Sequence, residues 1–223
     1  MKKGGEGYKK IWKTGFITWE KFENQNEKNK VTVMQESSVV LPYGNAHYVV
    51  SEGTYIHPSA VIGENVTIGK GCYIGPFCLI GFPAEWKGHE HEDMGVIICD
   101  GARLTGHVTV DAGVINRTVI GNNSYLMKHS HVGHDAVIGG CVTISCGVKV
   151  GGCCNVQYKA NIGLNAVIHQ KQNIAEGCMI GMGSVITRKL ITEPYRKYAG
   201  NPARDIGENI DPFKPITVKF DHL

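Results

Sequence analysis

Divided into sixes, residues 121–186 read GNNSYL MKHSHV GHDAVI GGCVTI SCGVKV GGCCNV QYKANI GLNAVI HQKQNI AEGCMI GMGSVI. Every block closes on Leu, Val or Ile, and Ile120 stands just before the first, so twelve aliphatic residues recur without a miss. Two places before each comes a small or medium residue: Ser124, Ser130, Ala136, Val142, Val148, Cys154, Ala160, Ala166, Cys178 and Ser184, with Gln172 the exception. A period of six cannot stay on one face of an α-helix, which turns every 3.6 residues. Short strands with a turn every six residues can keep both the aliphatic and the small residue pointing inward. Gly often follows the aliphatic, at 121, 133, 139, 151, 163 and 181, and is expected to serve the turns.

The same unit recurs upstream. Ile62, Ile68, Ile74 and Ile80 carry Val66, Cys72 and Cys78 in the small slot, and a third block runs Ile98, Leu104, Val110. Three hexapeptides make one triangular coil, and coils stack through parallel hydrogen bonding. The expected fold is all-β, a parallel β-helix over residues 51–210. Residues 1–50, Lys- and Glu-rich as far as about Lys30 with Trp12, Trp19 and Phe22, read as a partly disordered extension or cap. Residues 211–223 form a short tail. Two segments break the pattern: Phe82 to Ile97, polar and rich in His and Glu, reads as an extruded loop, and Asn116 to Val119 as a smaller slip in register.

Composition agrees with tightly turning β structure, with 29 Gly and 8% aromatics in 223 residues. A net charge of +3, without a basic block interleaved with aromatics, argues against a nucleic-acid partner. The eight Cys show no Cys-x-x-Cys spacing for zinc. No apolar run suits a signal peptide or a membrane span. The chain reads as a reduced, cytoplasmic protein.

Several landmarks carry a resemblance: Ile74-Gly75-Pro76-Phe77-Cys78, Pro83-Ala84-Glu85-Trp86-Lys87, His131-Val132-Gly133-His134-Asp135, His169-Gln170, and Gly200-Asn201-Pro202-Ala203-Arg204 followed by Gly207 and Asn209. On these, residues 56 to 210 resemble the left-handed β-helix hexapeptide acyltransferases, in particular the acyl-carrier-protein-dependent UDP-N-acetylglucosamine O-acyltransferases of lipid A synthesis. The resemblance implies a left-handed coil, a homotrimer with active sites between subunits, and no tightly bound cofactor or metal. The acyl donor would be an acyl carrier protein or CoA thioester.

Acyl transfer needs a base for the acceptor's proton and donors for the oxyanion, and a neutral His is the usual base near pH 7. His134 lies two after Val132, near a corner and outside the core, which suits an accessible side chain. The resemblance makes His134 the general base, Asp135 its orienting or charge-stabilising partner, and the Gly152 N–H an oxyanion donor. It assigns substrate contacts to Glu85, Lys87, His131, His169, Gln170, Asn201 and Arg204, the last apt for phosphate through its forked donors. It also places Met182 at the end of the acyl pocket.

Three departures stand out: Cys153 where the family has His, Lys171 where an aromatic is common, and almost none of the C-terminal helical domain. The competing readings are a CoA-dependent N-acetyltransferase of a nucleotide-linked amino sugar and a non-catalytic solenoid scaffold.

Overall fold

Residues 7–13, 16–22, 48–86 and 93–210 are described by the structure, a computed structural model, the first two stretches as backbone alone. Those two are the strands Gly7–Lys13 and Phe16–Phe22, paired antiparallel. From Tyr48 onward the strands join three sheets of nine, seven and seven strands, parallel except for the last strand of the nine. In the regular coils each strand pairs with the one eighteen residues on: His131 with Lys149, Lys149 with Val167, Val167 with Val185. Eighteen residues are three hexapeptides, so the six-residue period is one side of a triangle. In chain order, Tyr125–Leu126 lies on face one, His131–Val132 on face two and Val137–Ile138 on face three.

The aliphatic of every hexapeptide fills the interior. Ile120, Leu126, Val132, Ile138, Ile144 and Val150 are fully buried, and so are the small-slot residues Ala136, Val142, Val148 and Ala160. Each large aliphatic contributes about 1.5–3 kcal/mol by leaving water. The exception at Gln172 is satisfied within the stack, where Nε2 donates to the Thr187 carbonyl at 2.8 Å. Cysteines behave as small core residues: all eight are free thiols, and Cys72, Cys78, Cys154 and Cys178 are buried. Burial pushes these four thiols up, Cys154 to about 11.

The glycines work differently from expectation. The left-handed turn residue falls three places after the aliphatic, and is usually not Gly: Asn123, His129, Asp135, Cys141, Cys153, Lys159, Asn165 and Lys171 all have φ between 55° and 63°. The glycine directly after the aliphatic is needed for close approach of the next coil. A Cβ on Gly121 would lie 2.5 Å from the carbonyl carbon of Gly139, and one on Gly151 would lie 2.6 Å from the Gln170 nitrogen. Gly121→Ala should therefore destabilise the fold by about 1–3 kcal/mol, as overpacking does. Denaturant unfolding measures this, and an unchanged midpoint would contradict it.

The two excursions are placed more narrowly than the pattern suggested. Leu79–Phe82 and Val96–Ile98 are strands of faces two and three, so the loop lies between them, with residues 87–92 outside those described. Thr118–Ile120 is strand throughout and pairs with Val96–Ile98, so the slip belongs to 112–117, where Gly95 bridges Gly113.

Beyond the last coil a hairpin closes face one. Arg196–Gly200 runs parallel to Met179–Ile180, and Ala203–Glu208 returns antiparallel. The hexapeptide pattern gives no sign of this hairpin. The tail 211–223 lies outside the described residues. No helix among the described residues is long and apolar enough to cross a membrane.

Candidate active site

Face two turns into face three after Val132, and this corner carries His134 and Asp135. Asp135 takes the left-handed turn conformation, and its N–H donates to Thr118 Oγ1 at 2.9 Å. Its carboxylate is held by the slip at 112–117. Oδ1 accepts from the N–H groups of Ile115 at 2.8 Å and Asn116 at 2.6 Å, and Oδ2 accepts from Val114 at 3.2 Å. Oδ2 also lies 2.7 Å from His134 Nδ1. Burial alone would raise the Asp135 pKa. The Asn116 N–H, the His134 ring and the N–H groups of Ile115 and Val114 outweigh it and hold the carboxyl below the usual carboxylate value. An ionised carboxylate only accepts hydrogen bonds, so Nδ1 carries the proton and the Nε2 lone pair is free.

That nitrogen faces Gly152. A Cβ built there would sit 2.5 Å from His134 Nε2, so only glycine leaves the imidazole its place. The Gly152 N–H donates to no group among the described residues, while the Gly152 carbonyl accepts from Lys171. Trp86 covers the imidazole, stacked at 5.5 Å between centroids and 9° between planes. The His134 side chain is left 18% exposed and that of Asp135 5%. A sheltered base next to a free N–H can take a proton from a nucleophile and stabilise the oxyanion that the nucleophile creates.

A second group lies beside the first on face two. His131 Nδ1 is 2.8 Å from Thr109 Oγ1, and its Nε2 is 3.8 Å from Asp111 Oδ2. Burial and the Lys149 cation lower the His131 pKa, opposed by Glu85. Burial and then the Glu85 carboxylate raise Asp111 to about 7, opposed by His134.

The remaining expected residues divide by position. His169 and Gln170 lie one coil beyond Gly151 and Gly152, with the Gln170 nitrogen against Gly151. Met182, 72% exposed, sits at the corner between faces one and two. Asn201 and Arg204 belong to the terminal hairpin on face one. Within one chain Met182 lies one six-residue side from His134, roughly 20 Å at 3.3 Å per residue, and also more than two coils along the axis, with the hairpin a further coil on. Lys87 lies outside the described residues.

Sequence reasoning assigned no part to Asp111, to Trp86 beyond its place in a landmark, or to the backbone of 114–116. Asp111 directly follows Val110 and so falls under Gly133, but it belongs to none of the landmark motifs.

His134, Asp135 and Cys153 bring ligand atoms within 4.8 Å of one another. Metal binding is nevertheless disfavoured by the donor set. The four lone-pair directions of Asp135 meet three N–H groups and the imidazole, and burial and Asp135 push the Cys153 thiol up.

Residues 47–81 match the model of the bacterial transferase hexapeptide family (six repeats). The chain is 29% identical to an acyl-[acyl-carrier-protein]–UDP-N-acetylglucosamine O-acyltransferase of Sinorhizobium fredii, over 71% of this chain and 59% of that protein. It is 32% identical to one of Campylobacter lari, over 70% of this chain and 64% of that protein. The chain thus spans about three fifths of the length of these curated relatives. A UDP-N-acetylglucosamine acyltransferase structure from Bacteroides fragilis superposes with a TM-score of 0.71 at 28% identity, covering 74% of this chain and 64% of that one. The coil shares the left hand of these neighbours.

Proposed function

We propose that this left-handed hexapeptide-repeat β-helix is an acyltransferase, moving an acyl group from a thioester carrier to a hydroxyl of UDP-N-acetylglucosamine or a related sugar nucleotide. The observation that carries the reading is the His134 centre: Nδ1 tied to Asp135, Nε2 turned to Gly152, and Trp86 covering the ring.

The mechanism follows from that geometry. The acceptor hydroxyl gives its proton to His134 Nε2 as its oxygen attacks the thioester carbonyl. The carbonyl oxygen gains the negative charge, and the N–H of Gly152 donates to it. Asp135 stabilises the imidazolium that forms. Collapse breaks the C–S bond, and His134 returns the proton to the departing sulfur. An ester and a free thiol leave, and the protein needs no tightly bound cofactor. The donor is an acyl carrier protein or CoA thioester. Glu85, Lys87, His131, His169 and Gln170 are the proposed acceptor contacts.

A homotrimer is part of this reading. Met182, Asn201 and Arg204 sit away from their own chain's His134, so they serve a site only across a subunit boundary. Light scattering tests the assembly, and a fully active monomer would exclude it. On this arrangement Met182 closes the acyl pocket, and each methylene it excludes forfeits about 0.8 kcal/mol of burial. Wild type should prefer short or medium donors, and Met182→Gly should shift the preference to longer ones. An unchanged chain-length profile would place the pocket floor elsewhere.

Free-thiol release from a panel of acyl carrier protein and acyl-CoA thioesters, with and without sugar nucleotide, tests the reaction class. Release that needs the sugar nucleotide is expected, and none with any pair would refute it. A bare scaffold gives no reason to bury an imidazole–carboxylate pair against a glycine. The N-acyltransferase alternative draws support from one feature, the carboxyl of Asp111.

A further inference from the structure

Asp111 is the one site carboxyl whose place the mechanism does not explain. Its side chain is only 14% exposed, and its one ion-pair partner among the described residues is His131, whose Nε2 lies 3.8 Å away, beyond hydrogen-bonding distance. Asp135, its counterpart in the same site, meets four donors. A mostly buried carboxyl without a hydrogen bond among the described residues is open to accept one from a bound ligand.

Its place says where that donor would be. Val110 pairs with Val132, and Val132 with Val150, so Asp111 stands in column with Gly133 and Gly151. Both positions carry no side chain, and they directly precede His134 and Gly152. The carboxyl therefore lies one coil, roughly 5 Å along the axis, from the residue next to the base. Glu85 adds a second negative group near Asp111, and the two together favour a cation over a further anion between them.

The charge that develops on an attacking atom separates the two kinds of acceptor. A hydroxyl oxygen sheds its proton as it attacks, and a nearby carboxylate disfavours the negative charge it builds. An amine nitrogen attacks as the neutral base and becomes cationic as the C–N bond forms, and a carboxylate stabilises that charge.

Keeping the acyltransferase reading and its His134 base but replacing the hydroxyl acceptor, we propose that Asp111 is the residue that selects the acceptor, receiving a hydrogen bond from an amino group at the reacting position of a nucleotide-linked amino sugar. The nitrogen attacks the thioester carbonyl, the C–N bond forms and the C–S bond breaks. The proton lost by nitrogen passes to His134 Nε2 and then to the leaving sulfur, giving an amide and a free thiol.

The test compares kcat/KM for two UDP-sugars that differ only in amine or hydroxyl at the reacting position, with wild type, Asp111→Asn and Asp111→Glu. Thermal unfolding checks that each variant is folded. Wild type should prefer the amine, Asp111→Asn should lower the amine-to-hydroxyl ratio at least about tenfold, and Asp111→Glu should restore part of it. A ratio in Asp111→Asn within twofold of wild type, or a wild type that favours the hydroxyl, overturns the assignment to Asp111 and leaves the acyltransferase reading standing. No transfer to either acceptor overturns that reading itself, and this inference with it.

Discussion

Asp135→Asn is expected to lower turnover by about 10²–10⁴, and to do so without removing the base. The carboxylate accepts on both oxygens, Oδ1 from Ile115 and Asn116, Oδ2 from Val114 and His134. An amide has one accepting oxygen, so whichever way Asn turns, its NH₂ faces donors. If it faces His134, Nδ1 loses its acceptor and the ring can turn over to the wrong tautomer. If it faces Ile115 and Asn116, two backbone N–H groups at the 112–117 turn lose their partner, at about 1–3 kcal/mol each if they stay buried. Both routes cost activity, and the second also costs stability.

The sign of the pH effect follows from the depressed Asp135 pKa. Its contribution to stability is complete above the unfolded value of about 3.9 and is lost as pH falls through the folded value. The variant should lack that part of the acid dependence. Steady-state kinetics alongside acid unfolding measures both. Wild-type turnover in Asp135→Asn would show that the pair is only a turn device.

His134→Ala is the second large effect, again about 10²–10⁴ in turnover, with little change in fold. The side chain sits at a corner outside the core, stacked on Trp86, so its removal leaves no cavity in the aliphatic column. What disappears is the proton acceptor facing Gly152. Near-normal turnover in this variant, with a donor and acceptor pair known to react, would remove His134 from the mechanism.

Much of this was legible in the chain because a hexapeptide solenoid writes its geometry locally. The aliphatic at every sixth position and the small residue two places before it are both forced by one narrow triangular interior, so Ile144 and Val142 declare their burial wherever they occur. His134 was readable for the same reason, since its offset from Val132 fixes it at a corner. What escaped depends on breaks in the period. The turn at 112–117 has no repeat to betray where it begins, and its misplacement by a few residues hid the cradle for Asp135. The glycines after the aliphatic misled in another way. Their value lies in contact with a coil eighteen residues away, whereas the strained turn conformation falls on Asn, Cys, Lys and Asp two places further on. The terminal hairpin left only turn residues, Gly200 to Pro202, as its trace.

The central claim is acyl transfer to a sugar nucleotide with His134 as base, and its most direct test is the mass of the acceptor. UDP-N-acetylglucosamine and its amino counterpart are incubated with acyl carrier protein and acyl-CoA donors, with wild type and with His134→Ala. The account predicts that wild type makes one acceptor heavier by the acyl group less one hydrogen, and that the product nearly vanishes in His134→Ala. Acceptors unchanged in mass with every donor, or equal product from both proteins, would contradict it.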